Sequence, residues 1–223
     1  MLKFLFIIIA YLLGSIPFSF LLGKFIKKDD IRKHGSGNLG TTNAYRVFGK
    51  LVGTLVLIFD TLKGGLIVYL LRMDFILTNI DMFHPLIYGF AAVIGHVFPI
   101  WFKFKGGKGV ATSFGLLLGY APFMAISILP VFIIIEISTR YVSIASVVST
   151  VIAFYVGLAM YIGNVSGSSF IHYDLTFVVI LLLSVILIFW RHKVNFHQIR
   201  QGTENKIDFD ISKYIHPFKK NSQ

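Results

Sequence analysis

Seven apolar stretches alternate with polar connections along the chain, and nearly all are far longer than the strands of a soluble core. They cover residues 2–23, 47–71, 85–101, 110–121, 122–136, 141–163 and 175–190. The pattern predicts an all-α chain. The first stretch is interrupted at Gly14-Ser15-Ile16-Pro17, where proline removes a helix hydrogen bond, so a kink is expected. Its apolar character continues to Gly23, too far for a signal-peptide core, and no A-x-A-like site follows, so it reads as a retained span. The stretch 110–136 contains Pro122 and Pro130. A residue before proline is biased away from α, which places a helix break at Ala121-Pro122. The resulting 110–121 helix would be about 18 Å long against about 30 Å of hydrocarbon, so a short, tilted or re-entrant segment is expected.

Composition turns this pattern into a membrane protein. Of 223 residues 56% are apolar and 14% charged, with a mean hydropathy of +0.77. That is the balance of an integral membrane chain. The formal charge of +11 could suit nucleic acid, anionic lipid or an anionic substrate. Its distribution decides among them. Three connections, 24–50, 102–109 and the tail from Arg191, hold 17 of the 21 Lys and Arg residues. The positive-inside rule places all three in the cytoplasm, and seven segments satisfy that parity with the N-terminus outside and the C-terminus cytoplasmic. The expected partner is therefore the lipid bilayer, not nucleic acid. No repeat, low-complexity run or boundary divides the chain, so residues 1–223 are expected to form a single domain. Cysteine is absent, which excludes disulfides, thiolate metal sites and a thioester intermediate on the enzyme.

The candidate chemistry lies in the three basic connections. The first contains HGSGNLGTTNAYR, residues 34–46, with three glycines, two asparagines and an arginine in thirteen residues. Glycines permit φ > 0 and close backbone approach, so successive N–H groups can form a nest for an anion, with Ser36, Asn38, Asn43 and Arg46 adding donors. A plainer reading makes it a polar turn that caps the next helix through Thr41, Thr42 or Asn43. The two readings are compatible. The second connection, FKFKGGKGVAT, carries Lys105, Gly106, Gly107, Lys108 and Gly109 ahead of a helix N-terminus, the residue types of a phosphate cradle. It is not a Walker A loop, because Gly109 stands where Ser or Thr would follow the lysine. The bland alternative is a loop that merely sets orientation. The third, from Arg191 through Asn195, Arg200 and Glu204, could equally be a juxtamembrane segment drawn to anionic lipid. Inside the spans, Asp60 and Lys63 share a helix face at i, i+3 and read first as a structural ion pair. His96 suits a proton carrier, a phosphate ligand or a histidine bonded between helices.

Five stretches, GSIPFS at 14–19, HGSGNLGTTNAYR at 34–46, DTLKG at 60–64, GHVFPIWFKFKGGKGVAT at 95–112 and RHKVNFHQIRQGTE at 191–204, together resemble the bacterial acyl-phosphate:glycerol-3-phosphate acyltransferase family, the PlsY type. The resemblance covers essentially the whole chain. It implies an enzyme of the bacterial inner membrane that moves a fatty acyl group from acyl phosphate to the 1-hydroxyl of glycerol 3-phosphate. The products would be lysophosphatidic acid and inorganic phosphate. It further implies roles for Ser36, Asn38, Gly40, Asn43 and Arg46, for Lys105, Gly106, Gly107, Lys108 and Gly109, and for Asn195 and Glu204. The family's last motif often reads N-I-x-R-L, so its basic position falls on either His197 or Arg200 here.

The residues agree with that chemistry on their own account. Two phosphorylated substrates would explain two cationic glycine loops on one side. An acyl phosphate is already activated, so direct attack needs no covalent enzyme intermediate. Arg46, Lys105 or Lys108, with backbone N–H groups, would stabilise charge on the carbonyl and the leaving phosphate, with Ser36 positioning substrate. The H-x-x-x-x-D motif of other glycerolipid acyltransferases and the aspartate cluster of metal-dependent phosphotransferases are both missing, so no metal and no cofactor are expected, and the expected unit is a monomer. A transporter of phosphorylated anions is the alternative class, and it would predict internal symmetry and a site at mid-membrane.

Overall fold

A computed structural model describes residues 1–73, 81–165 and 173–207, and among them all regular structure is helical. Parts of the expected connections 72–83 and 164–174, and the tail beyond residue 207, lie outside the described residues. The first segment breaks as expected into α1 (Leu2–Gly14) and α2 (Phe18–Leu22), continued by a π-turn at Gly23–Lys27. Then follow α3 (Thr41–Arg72), α4 (Pro85–Val97), α5 (Val110–Tyr120), α6 (Pro122–Thr139), α7 (Val142–Val165), α8 (Leu175–Arg191) and α9 (Lys193–Arg200). Pro122 occupies the first turn of α6, where its missing N–H costs nothing. Pro130, by contrast, is carried inside that helix.

Among the described residues five helices are long and apolar enough to cross a membrane, and the bent pair α8–α9, meeting at 47°, makes a possible sixth. The seventh segment, α5, has 11 residues and an axial length of about 16 Å. Side-chain and backbone contacts gather the helix ends into two groups. At one end Lys3 pairs with Asp81, the Arg72 guanidinium lies 5.4 Å over the Tyr120 ring, and His84 contacts Tyr120 and Asp174. The opposite end gathers the glycine loops and α9, and there the Ile207 amide donates to the Arg140 carbonyl at 2.8 Å. Around the bundle, α6 turns Phe123, Ile126, Leu129, Ile133, Ile134 and Ile137 outward, a face suited to lipid.

Two backbone features position the site. The helix α5 lies directly on α3, since a Cβ on Gly115 would stand 1.9 Å from the Thr61 carbonyl oxygen and one on Gly64 2.1 Å from that of Thr112. Such contact fits the small-residue packing of helices in lipid. The second feature is Gly49, at φ 81° and ψ −174° inside α3. This left-handed conformation suits glycine and folds residues 41–48 back along 50–72. Tyr45 packs its ring on Gly53 and bonds the Thr54 hydroxyl at 2.8 Å, which a straight helix of this length could not permit. The fold-back returns the first glycine loop to the level of Lys63.

Candidate active site

In the first loop, Gly35 and Gly37 take positive φ, 59° and 67°, and turn the chain toward α3. Asn43 locks that turn. Its Oδ1 accepts the Ser36 amide at 2.9 Å, while its Nδ2 donates to the His34 and Asn38 carbonyls at 3.2 and 3.1 Å. Both side-chain protons of this buried amide are thus engaged by its own loop. The expected side-chain cap is not formed, because Gly40 is the N-cap and Thr41, Thr42 and Asn43 fall inside the first turn. Their backbone N–H groups find no acceptor among the described residues. Beside them, Asn38 Oδ1 and Thr41 Oγ1 are buried without a partner.

The glycines of the second loop serve a different purpose from the phosphate cradle anticipated for them. Gly106 and Gly107 donate their N–H groups to the Val97 and His96 carbonyls, each at 3.1 Å, so neither is open to an anion. Their carbonyls are held from the other side by Arg191, whose Nη2 and Nε donate to Gly106 and Gly107 at 3.0 and 3.2 Å. Both positions require glycine for contact, since a Cβ at Gly107 would lie 1.9 Å from His96 Nε2. What remains open is the end of the loop. Gly109, at φ 86°, is the N-cap of α5, and the buried hydroxyls of Thr112 and Ser113 in its first turn have no partner. Helix N-termini with unspent N–H groups attract anions through those groups and the helix dipole.

The third connection supplies the partner for Lys108. Lys108 Nζ donates to Asn195 Oδ1 at 2.6 Å, and Asn195 Nδ2 donates to Glu204 Oε1 at 2.7 Å. Burial pushes the Lys108 ammonium down to about 8, against the attraction of Glu204 and with the help of the nearby Arg191 and Arg46 cations. Lys108 and Arg46 therefore share one electrostatic environment, which joins the first and second loops. Arg46 itself is half-buried. Buried His192 donates from Nδ1 to the Ile188 carbonyl at 2.8 Å, so its neutral ring presents Nε2 as an acceptor.

Other candidates stand further out. Ser36, Lys105, His197 and Arg200 are exposed, and the structure gives their side chains no bond to the Lys108 group. The question between His197 and Arg200 thus has an unexpected counterpart, because it is Arg191 that bonds the loop, with His192 next to it within the field of the Lys108 charge, five to nine residues earlier. Their legible signal was two basic residues at the very end of the last apolar run. Asp60 and Lys63 do form the expected pair, at 2.7 Å, and His96 Nδ1 lies 3.6 Å from Asp60 Oδ1. Among the described residues no group of three or more His, Asp or Glu side chains could hold a metal ion.

Fold and site together define a polytopic membrane protein with an anion-receptive end built from two helix N-termini, Arg46 and Lys108. Comparison with known proteins makes this specific. The family model described as glycerol-3-phosphate acyltransferase matches residues 4–202. A glycerol-3-phosphate acyltransferase of Bacillus subtilis is 44% identical over 207 residues, 93% of this chain and 98% of that protein. One from Bacillus cytotoxicus is 42% identical over 206 residues, 92% of this chain and 96% of its own. The crystal structure of the integral membrane glycerol 3-phosphate acyltransferase PlsY in its glycerol 3-phosphate form superposes with a TM-score of 0.80 at 34% identity, covering 98% of this chain and 100% of that one. Its lysophosphatidic acid form gives 0.77, with 93% and 96% covered. The chain belongs to the glycerol-3-phosphate acyltransferase family and is an integral membrane acyltransferase.

Proposed function

We propose that the acyl donor is an acyl phosphate and that the reaction is direct transfer to the 1-hydroxyl of glycerol 3-phosphate, at the cytoplasmic face of a bacterial inner membrane. The hydroxyl oxygen attacks the acyl carbon, the new ester bond forms, and the carbon–oxygen bond to phosphate breaks. The hydroxyl proton passes to a phosphate oxygen or a nearby base, and lysophosphatidic acid and inorganic phosphate leave. The observation that carries this reading is the pairing of two helix N-termini, each with orphan hydroxyls, around Arg46 and Lys108. Two phosphates need two such cradles, and the anhydride needs no nucleophile from the protein.

Within this reading the first turns of α3 and α5 hold the phosphates, with Asn38, Gly40 and Gly109 shaping them. Arg46 and Lys108 stabilise charge as the phosphate departs. Asn195 and Glu204 hold Lys108 in place. Ser36 and Lys105 act from the rim, as do His197 and Arg200, while Asn43, Gly106 and Gly107 hold the two loops in shape and His96 supports the second. The basic loops lie at one end of the bundle, which supports a cytoplasmic site under the positive-inside rule. The test is phosphate release by purified protein in lipidic mesophase given palmitoyl phosphate with or without glycerol 3-phosphate. Release should require both substrates, and Arg46→Ala should lower it by roughly 10²–10³ fold, Ser36→Ala by less. Acylation from a thioester donor without any turnover of palmitoyl phosphate would overturn the donor assignment.

A further inference from the structure

Lys63 occupies a place that a merely structural ion pair does not require. Its side chain is 5% exposed, on a membrane-spanning helix, and its ammonium reaches Asp60 Oδ1 at 2.7 Å and the Ile16 carbonyl at 3.1 Å. Of these two contacts only that to Ile16 is a hydrogen bond, the Asp60 oxygens being buried with an ion pair but no hydrogen-bond donor, so at least one of the three N–H groups of the ammonium is left over. The Phe18 ring adds a cation–π contact, its centroid 5.6 Å from the ammonium. The same side chain lines a small cleft bounded by Gly14, Ile16, Pro17, Leu39, His96 and Gly107. Three of the five stretches that carry the chain's motifs thus converge on Lys63, itself part of a fourth. The fold-back at Gly49 is what brings Leu39 to this depth.

The cleft differs from the Lys108 group in what can reach it. Lys108, Asn195 and Glu204 stand on loops and on α9, on the water side of the bundle. The Lys63 cleft is framed by the break in the first span, by Lys63 inside α3 and by His96 in the last turn of α4. A ligand whose tail lies in lipid can present its head there. Intramembrane ionisable groups that line a polar cavity are functional by default.

Building on the acyl phosphate reading above, we propose that Lys63 donates its third N–H to an oxygen of the acyl donor's head, while Asp60 and His96 hold the ammonium in position beneath the Gly106–Gly107 turn. Asp60 neutralises the ammonium in the empty site, and the incoming head gains a charge-assisted bond without any change of protonation.

The test is a steady-state comparison of wild type with Asp60→Asn/Lys63→Met, which removes both charges of the pair and keeps the volume of the stem. The apparent KM for palmitoyl phosphate should rise, or kcat/KM for it fall, by roughly 10–100 fold, with KM for glycerol 3-phosphate within about twofold of wild type. If the double variant fails to fold, Lys63→Arg, which keeps the charge pair and moves the donors, should give the same substrate-selective loss. Unchanged constants for both substrates, or equal losses for both, overturn the proposal while leaving the donor assignment standing. Wild-type protein that ignores palmitoyl phosphate but uses a thioester overturns the donor assignment and this proposal with it.

Discussion

The loops at 34–46 and 103–109 look alike in composition, yet glycine does opposite things in them. In the first, Gly35 and Gly37 use positive φ to turn the chain, and Asn43 ties the turn internally, leaving the first turn of α3 open. In the second, Gly106 and Gly107 are small so that His96 and Arg191 can grip the backbone from both sides. Their N–H groups are consumed by α4, and the anion-receptive part shifts to Gly109 and the turn behind it. A run of glycines is therefore two different devices, a turn that leads into an open helix N-terminus or a tight joint. Which one it is depends on whether another element supplies acceptors for its N–H groups.

This contrast can be broken in order of expected effect. Lys108→Met should cost the most, roughly 10²–10³ fold in kcat/KM, since it removes a preorganised cation and strands Asn195 against Glu204. A kinetic assay with melting temperature measured alongside separates lost catalysis from lost fold. Gly107→Ala comes next. Its Cβ would press into His96 Nε2, and overpacking of about 1–3 kcal/mol should lower stability and shift the loop, reducing activity by roughly 10–100 fold. If the second loop were a simple nest, alanine there would cost little stability, and an unchanged melting temperature would refute the joint.

Asn43→Ala should be milder in rate. It leaves the Ser36 amide and two carbonyls unpartnered, and a loss of about 1–3 kcal/mol in stability, with higher KM for a phosphorylated substrate, is expected. Lys108 also predicts a pH limb. Held near 8, its ammonium is charged below that pH and neutral above it, so kcat/KM should fall by tenfold per unit above about pH 8. Bound phosphate favours the charged form, so the limb in kcat should lie further alkaline. In Lys108→Arg the limb should vanish from the accessible range. The smallest effect belongs to Lys105→Ala, below about threefold, because that side chain is exposed at the rim and works by screened attraction. A loss as large as that of Lys108 would mean the loop closes over substrate.

Several features could be read directly along the chain. The apolar helical segments, the kink before Pro17 and the break at Ala121-Pro122 are visible because desolvation and proline stereochemistry act on neighbouring residues. The pair Asp60–Lys63 was visible for the same reason, being one turn apart. Other features were hidden. Nothing local marks Gly49 as the hinge of α3 among the chain's many glycines, nor distinguishes Arg191 and His192 from the other basic residues of the tail. Asn43 was legible as a loop residue but not as its internal tie, since the identity of its three partners depends on how the turn closes.

The sequence by itself determined that this chain is helical, lies in a membrane, and keeps most of its basic residues in three connections. Those outcomes depend on the hydrophobic run lengths and on the distribution of charge, which no distant contact can change. Only the tertiary structure decided which glycines turn the chain at positive φ and which pack against a neighbour, and that Lys108, rather than Lys105, is half-buried and bonded to Asn195. It also brought Lys63 to the same end of the bundle as the loops. Hydrogen-bond satisfaction and burial are properties of the assembled neighbourhood, because a backbone N–H is open only when no other helix arrives to accept it.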